Sequence, residues 1–267
     1  MIIGIVGRSV DPTGAMCSIG TGKDTVADHY VSQERFQKIG LADPLKRFCQ
    51  DIYGFTDEQL YGSSKHRGYP DRRYPREHRW EAQNDPEKYS YICECCGVEM
   101  TDIRVKQPQC YLTPRFALQQ LGTQWGRYMW DDTWIRRGMN TARMLLRASD
   151  YMMYAPQEGL VERVEFTPMG ESERDDTPKD PPEGVVFSDI RFKNEVKYLK
   201  DNGGKLILVY REVDKVAASA KDMAHQSEND LNEFGVDDDL WDFVIQNNRD
   251  VEALQHSASV VLEMLRE

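Results

Sequence analysis

The strongest constraint on the fold is the string Gly20-Thr-Gly-Lys-Asp-Thr25, which lies between a short apolar segment and a helical pattern. Residues 1–7 read Met-Ile-Ile-Gly-Ile-Val-Gly, which is typical of a buried strand, and residues 23–34 have the pattern of a helix. A strand, a glycine-rich loop and a helix in this order place backbone N–H groups around a phosphate. The sequence therefore predicts a phosphate-binding loop at residues 8–22, with Lys23 reaching the phosphate oxygens.

Two features of this loop depart from the usual P-loop spacing. A glycine is expected five residues before Gly22, where this chain has Cys17. Because the first strand is predicted to end at Gly7, the loop carries an insertion of roughly ten residues relative to that spacing. Asp24 stands where Ser or Thr is usual, with Thr25 next to it, and is predicted to hold Mg²⁺ directly or through water. The alternative is a glycine-rich turn before an ordinary surface helix.

The rest of the chain alternates apolar runs with helical patterns. The predicted strands are residues 36–41, 184–189, 206–210 and 241–246, and the predicted helices are residues 43–53, 113–125, 132–148, 192–201 and 251–265. Continuous apolar runs favour parallel strands that are buried on both faces. The fold class is therefore α/β: a three-layer αβα sandwich of the P-loop NTPase type with a central parallel sheet, forming one domain over residues 1–267.

Two segments lack this alternation. Residues 61–112 contain many Arg, Tyr and Pro residues and a group of cysteines, and we interpret them as an insertion on the substrate side. Residues 149–183 have no periodicity and are predicted to be a flexible loop, with the role of a lid.

Charge and hydropathy exclude several classes of protein. The net charge of −11 argues against broad binding to nucleic acid, which needs a basic surface, but permits a local arginine pocket for a small anion. No apolar run approaches the roughly 20 residues of a membrane span, and the first residues form a core strand rather than a signal peptide. We therefore expect a cytoplasmic protein.

Three of the six cysteines, Cys93, Cys95 and Cys96, lie within four positions. Cys93-x-x-Cys96 followed by glycine is the turn that half of a zinc knuckle uses, and Cys110 and His78 lie on either side of it. The set Cys93, Cys96, Cys110 and His78 predicts a structural zinc site, which would order a segment of little apolar content. The alternative is a group of unliganded thiols in a reducing compartment.

Several motifs, taken in order, resemble those of the bacteriophage deoxynucleoside monophosphate kinases, a branch of the P-loop nucleotide kinases. The matching positions are Thr21–Thr25, Leu41–Lys46, Arg115 with Leu-Gly-Thr at 121–123, Trp134, Asp189 with Arg191 and Glu195, Arg211 at the end of an apolar strand, and His225–Glu228. Each motif is short, whereas the ordered set is specific. The cysteine segment and residues 149–183 lie outside the resemblance.

The resemblance implies transfer of the γ-phosphoryl group of ATP, with Mg²⁺, to a deoxynucleoside 5′-monophosphate (dNMP). The implied ATP and Mg²⁺ contacts are Gly20, Thr21, Gly22, Lys23, Asp24, Thr25 and Arg211. The implied substrate contacts are Arg115, Gly122, Thr123, Trp134, Asp189, Arg191 and Glu195. The expected catalytic residues are Lys23, Arg115, Asp189 and Arg191. Members of this family are often homodimers.

The chemistry of the reaction supports two of these assignments. An acceptor phosphate is already a nucleophile, so transfer needs charge neutralisation and alignment more than a base. Guanidinium groups fork onto phosphate oxygens, which favours Arg115 and Arg191. Arg191 also follows a predicted strand, and ligands bind at the carboxyl ends of such strands. Two alternatives stay open: Asp189 capping a helix among surface charges, and Trp134 as a core residue instead of a base-stacking one.

Other functions also stay open at this point. They are a P-loop kinase for a phosphorylated metabolite, such as a phosphomevalonate or dephospho-coenzyme A kinase, a kinase acting on a modified base within DNA, and a non-catalytic nucleotide sensor. The basic segment 65–76 is either a flap over the acceptor or a solvated loop. His225–Glu228 match the family, but a helix cap explains them more simply. The resemblance suggests dGMP, dTMP or a modified pyrimidine nucleotide as acceptor, and pocket shape decides among them.

Overall fold

A computed structural model of the chain describes residues 1–13, 16–17, 20–33, 35–82, 90–104, 106, 108–146, 181–214 and 230–267. They form two compact units. The first, here called the sheet unit, comprises Met1–Leu41 and Asp132–Glu267, and the second is Ala42–Asp131. The predicted insertion, residues 61–112, lies within the second unit. The predicted lid (149–183), apart from its last three residues, and the His225–Glu228 motif lie outside the described residues.

The secondary structure follows the predicted alternation of strands and helices. The strands are β1 (Ile2–Val10), β2 (Met16–Cys17), β3 (Phe36–Lys38), β4 (Pro75–Arg76), β5 (Trp80–Ala82), β6 (Tyr91–Cys93), β7 (Glu99–Met100), β8 (Cys110–Tyr111), β9 (Gly184–Phe187), β10 (Lys205–Glu212) and β11 (Phe243–Gln246). The helices are α1 (Lys23–Gln33), α2 (Asp43–Tyr53), α3 (Asp57–Tyr61), α4 (Ser64–Gly68), α5 (Pro114–Gln119), a π-helix (Gln120–Arg127), α6 (Thr133–Leu145), α7 (Lys193–Asp201) and α8 (Val251–Arg266). None of the described helices is long and apolar enough to cross a bilayer.

The sheet unit is built on five parallel strands in the order β11-β10-β1-β9-β3. β1 lies in the centre, and its residues from Ile3 to Ser9 are buried. The predicted central parallel sheet is therefore confirmed. Burial on both faces explains why the sequence at the start of β1 is continuously apolar.

Helices cover both faces of this sheet. On one face, side chains of α1 and α8 pack in one cluster with alternate strand residues, among them Ile5 and Ile207. On the other face, Gly4 of β1 approaches Leu199 of α7, and Gly138 of α6 approaches Phe187 of β9. The three-layer αβα architecture is confirmed, because alternate strand residues face opposite helical layers.

The first strand is longer than predicted. β1 continues past Gly7 to Val10, where β2 returns antiparallel to it with Ser9 opposite Cys17. The reason is the length of β10, which supplies ladder partners as far as Glu212, opposite Val10. Part of the predicted loop insertion is therefore a short hairpin that extends the central sheet.

The Ala42–Asp131 unit has its own small core, formed by Cys49, Phe55, Leu60 and Ala117. Two short antiparallel sheets, β4-β8 and β5-β6-β7, hold the cysteine segment.

The helix predicted from residue 113 does begin there, because the Thr113 hydroxyl accepts the N–H of Phe116 at 3.1 Å. It changes to a π-helix at Gln120, so the helix predicted over residues 113–125 is an α-helix followed by a π-helix that contains Gly122 and Thr123. Single turns of π-helix often occur at functional sites.

The tight contact between Gly184 and Phe36 provides a test of the core. A Cβ atom on Gly184 would lie 2.1 Å from Cε1 of the Phe36 ring, which is buried among other core side chains. We expect Gly184→Ala to lower the free energy of unfolding by about 1–3 kcal/mol through overpacking. The measurement is urea denaturation followed by circular dichroism. Gly235→Ala is the control, because its nearest neighbouring atom lies at 3.9 Å. Equal midpoints for the two variants would contradict the packing described.

Candidate functional site

The loop before α1 requires glycine at two positions. Gly20 and Gly22 have φ angles of +69° and +89°, which side chains other than glycine rarely adopt. A Cβ on Gly22 would also lie 2.4 Å from Nδ2 of Asn247. Gly7 of β1 leaves room for the loop, since a Cβ there would lie 2.1 Å from the hydroxyl of the buried Thr21. The loop is therefore folded closely onto the end of the sheet.

Residues at the carboxyl ends of the parallel strands hold this loop. Asn247, directly after β11, donates from Nδ2 to the carbonyl of Thr21 at 2.8 Å. Arg211, near the end of β10, donates from Nη1 to the carbonyl of Gly20 at 3.3 Å. Parallel strands bring their carboxyl ends to one edge of the sheet, which is the usual ligand site of such folds. The sequence analysis identified Arg211 and missed Asn247, although a polar residue directly after an apolar run was the available signal.

Lysines and carboxylates meet at the start of α1. The Nζ of Lys23 lies 2.7 Å from Oδ2 of Asp24, and the Nζ of Lys38 lies 3.2 Å from Oδ1 of the same carboxylate. Lys38 also pairs with Asp28 at 3.0 Å. The buried Ser188, directly after β9, donates from Oγ to Asp24 at 2.9 Å. Ser188 and Lys38 were missed by the sequence analysis, and both lie at positions that only the sheet order brings next to α1.

These contacts keep Asp24 ionised. Partial burial opposes ionisation, but the charges of Lys23 and Lys38 and the hydroxyl of Ser188 outweigh it. They hold the pKa of the Asp24 carboxyl well below its usual range. An exposed carboxylate is a hard oxygen ligand of the kind that Mg²⁺ prefers, and the adjacent ammonium group is suited to phosphate. The start of α1 thus offers a carboxylate suited to Mg²⁺ and an ammonium group suited to phosphate.

The motif after β9 is partly explained by local structure. Asp189 and Arg191 are half-buried and lie two and four residues after the end of β9. Glu195 is 2% exposed, and its Oε2 accepts the backbone N–H groups of Arg191 and Phe192 at 2.8 and 3.0 Å. Glu195 therefore caps the start of α7 and fixes the backbone of Arg191. The predicted contact between Glu195 and a sugar hydroxyl stays a prediction.

The other predicted substrate residues lie elsewhere in the two units. Trp134 is on α6 of the sheet unit and is 9% exposed. Arg115 is half-buried in the first turn of α5, and Gly122 and Thr123 lie in the π-helix, so all three belong to the Ala42–Asp131 unit. Their roles toward a substrate stay predictions.

The predicted zinc ligands are brought together within the Ala42–Asp131 unit. The ligand atoms of His78, Cys93, Cys96 and Cys110 all lie within 4.8 Å of one another. They come from different strands and loops across more than 30 positions of sequence. Burial raises the pKa of the Cys93 thiol, but hydrogen bonds, of which the one from the backbone N–H of Cys96 has the largest effect, outweigh burial and lower this pKa to about 6.

Comparison with known proteins gives a relative that spans nearly the whole chain. No family model matches. The chain is 27% identical over 241 residues to a protein of Acanthamoeba polyphaga mimivirus named "Putative deoxynucleotide monophosphate kinase". The match covers 90% of this chain and 89% of the mimivirus protein. The name of this relative agrees with the activity that the motifs suggested, but the relative comes from a virus that is not a bacteriophage, so the bacteriophage part of the resemblance is not supported.

The hydrogen bond from Asn247 to the loop can be tested by hydrogen exchange. We expect Asn247→Ala to speed amide exchange in a peptide covering residues 20–25 by about three- to tenfold, because one buried hydrogen bond to the loop is lost. The measurement is hydrogen–deuterium exchange with mass spectrometry. Asn248→Ala is the matched control, since the neighbouring Asn248 is exposed and bonds to Glu212 instead. Equal exchange in both variants would show that Asn247 does not hold the loop.

Proposed function

We propose that this protein transfers the γ-phosphoryl group of ATP to a deoxynucleoside 5′-monophosphate and releases ADP and the deoxynucleoside diphosphate (dNDP). The observation that carries the proposal is the position of Lys23 and Asp24 at the head of α1, behind a loop that Gly20 and Gly22 fold onto the sheet edge. The name of the mimivirus relative supports the choice of acceptor.

The loop and the start of α1 would hold the donor. The backbone N–H groups after Gly20 and the ammonium group of Lys23 suit the β- and γ-phosphates of ATP. Asp24, together with Thr25, offers oxygen ligands for Mg²⁺, which neutralises charge on the phosphates. Arg211, bonded to the carbonyl of Gly20, adds a positive charge beside the loop.

The binding of the acceptor and the transfer to it are assigned to Arg191, Asp189, Arg115 and Trp134. An oxygen of the acceptor phosphate attacks the γ-phosphorus, the bond from that phosphorus to the β–γ bridging oxygen breaks, and ADP leaves. No general base is needed, because the acceptor oxygen is already anionic. Arg191 is proposed to neutralise the transferring group, with its backbone fixed by the buried Glu195. Asp189 and Arg115 are proposed to align the acceptor, and Trp134 to contact the base.

An assay of ADP release tests the proposal. Purified protein is given MgATP with each dNMP and NMP in turn, with a phosphorylated metabolite panel and with duplex DNA. We expect turnover with at least one dNMP. Turnover only with a metabolite or with DNA would replace the proposed acceptor, and ATP binding without turnover on any acceptor would favour a nucleotide sensor.

The same assay tests the role of Lys23. We expect Lys23→Ala to lower kcat by about 10²-fold or more, because the charge that stabilises the transferring phosphoryl group is lost. Lys197→Ala is the control, because Lys197 is exposed on α7 of the same unit and pairs with Asp201 at the surface. A Lys23→Ala variant that is folded and keeps its full rate would rule out the phosphate loop as the catalytic site.

A change at Arg191 separates catalysis from ATP binding. We expect Arg191→Ala to lower kcat/KM for the dNMP by about 10²–10³-fold while the Kd for MgATP, measured by calorimetry, changes little. Arg191→Lys is expected to recover only part of the rate, since an ammonium group cannot fork onto two phosphate oxygens. Arg143→Ala is the matched control, because Arg143 is bonded to Asn202 on the same unit. Equal rates in both alanine variants would exclude Arg191 from the reaction.

A further inference from the structure

We infer that His78, Cys93, Cys96 and Cys110 bind one structural zinc ion in the Ala42–Asp131 unit. Three thiol sulfurs and one imidazole nitrogen form one of the common ligand sets of tetrahedral zinc sites. Four protein ligands complete the coordination of zinc, which is typical of a structural rather than a catalytic site. The assignment is independent of the proposed kinase activity, apart from one consequence for Arg115 given below.

Two of the distances between the ligand atoms are close to those around a tetrahedral zinc ion. The sulfurs of Cys93 and Cys110 lie 3.8 Å apart, and the sulfur of Cys96 lies 3.9 Å from Nδ1 of His78. Tetrahedral bonds of about 2.3 Å to sulfur and 2.0–2.1 Å to nitrogen imply edges of about 3.8 Å between two sulfurs and about 3.6 Å between sulfur and nitrogen. These two distances are close to the edges of a zinc coordination shell, and all four ligand atoms lie within 4.8 Å of one another, near enough for one ion to draw them together.

The chain around Cys93 is folded as the turn that presents two cysteines to one ion. Gly97 has a φ of +72° and donates its N–H to the carbonyl of Cys93 at 2.9 Å, and Cys93 donates its own N–H to Val98 at 2.9 Å. The left-handed residue lets the chain reverse directly after Cys96. A tight reversal at this point places the sulfurs of Cys93 and Cys96 in the same cluster.

The imidazole of His78 is held in the orientation that a metal ligand needs. Its Nε2 lies 2.7 Å from the carbonyl of Pro108, which can only accept, so Nε2 carries the proton. Nδ1 is then left with a lone pair directed at the cluster. The ring stacks on Trp80 with centroids 4.5 Å apart and planes 15° apart. A backbone carbonyl that accepts from the other ring nitrogen and so fixes the tautomer is a common feature of histidines that bind zinc.

The neighbouring cysteine is excluded from the ligand set by its own contact. Cys95 lies between Cys93 and Cys96 in sequence but donates its thiol to the carbonyl of Tyr111 at 3.2 Å. Its side chain is buried, and it packs in one apolar cluster with Phe116. Cys95 therefore provides a matched control for the ligands: a thiol in the same turn with a different role.

The zinc site would also fix the start of α5. The carbonyl of Cys95 accepts the hydroxyl of Thr113 at 3.1 Å, and the same hydroxyl caps α5 through the N–H of Phe116. Arg115 lies in the first turn of that helix. The strands β5, β6 and β7 are only two or three residues long, so a metal ion supplies order that their small apolar cluster does not. The zinc ion thus positions Arg115, a consequence that rests on the proposed function.

The metal content of the purified full chain tests the site. The protein is expressed in medium containing zinc and purified under reducing conditions without chelators, and metals are counted by plasma mass spectrometry. We expect about one zinc per chain in the unchanged protein and in Cys95→Ser, and less than about 0.1 in Cys93→Ser, Cys110→Ser and His78→Ala. Folding of each variant is checked by circular dichroism.

A second measurement on the unchanged protein covers the case in which the ligand variants do not fold. A mercurial thiol reagent releases bound zinc, which a chromophoric chelator then counts, and Co²⁺ added to the metal-free protein reports tetrahedral thiolate ligands by its visible absorption. Release of about one zinc and a tetrahedral cobalt spectrum support the site. A folded unchanged protein with no zinc and no such spectrum would overturn it, as would loss of zinc from Cys95→Ser to the same extent as from Cys93→Ser.

The two proposals fail in different ways. Bound zinc in a protein that turns over no acceptor leaves the zinc site intact and removes the kinase assignment. Full turnover in a protein that binds neither zinc nor cobalt removes the zinc site and leaves the kinase assignment intact.

Discussion

The candidate site of the sheet unit depends on how closely the loop at residues 20–22 is folded onto the carboxyl edge of the sheet. Gly7 leaves the space that the buried Thr21 occupies, and Asn247 bonds to the carbonyl of Thr21 from the end of another strand. With the loop held at both of these points, α1 begins directly above the sheet edge, and Lys23 and Asp24 take fixed positions. Side chains at the ends of β9, β10 and β11, namely Ser188, Arg211 and Asn247, converge there only because the strands are parallel.

Electrostatics at this edge are local and do not follow the net charge of −11. Two ammonium groups, of Lys23 and Lys38, surround the carboxylate of Asp24. Since the pKa of Asp24 is lower in the folded chain than its ordinary value, these contacts stabilise the fold at neutral pH. That contribution is lost as the pH falls below about 4, and it is small because Asp24 is exposed. The site is therefore charged and ordered at physiological pH, which suits the binding of a magnesium–phosphate complex.

The sequence was sufficient to predict the architecture and the cluster of three cysteines with His78, because both are indicated by local patterns. Apolar runs indicated the parallel strands, and the Cys-x-x-Cys-Gly turn indicated the cluster that also contains His78. The features that the sequence did not predict depend mostly on contacts between segments that are distant along the chain. The extension of β1 to Val10 depends on the length of β10, and the change of α5 into a π-helix has no local sequence signal that we identified. Lys38 and Ser188 were missed because only the sheet order brings them to Asp24.

Phosphoryl transfer is proposed to occur at the loop before α1 and to end on a nucleotide phosphate. The most direct measurement is the fate of the terminal phosphate of γ-labelled ATP, incubated with Mg²⁺, the purified chain and each dNMP, with products separated by chromatography. We expect label at the β-position of a dNDP in equal amount to the ADP formed, and no such product with Lys23→Ala. Label recovered only as inorganic phosphate, or in an acceptor other than a dNMP, would contradict it.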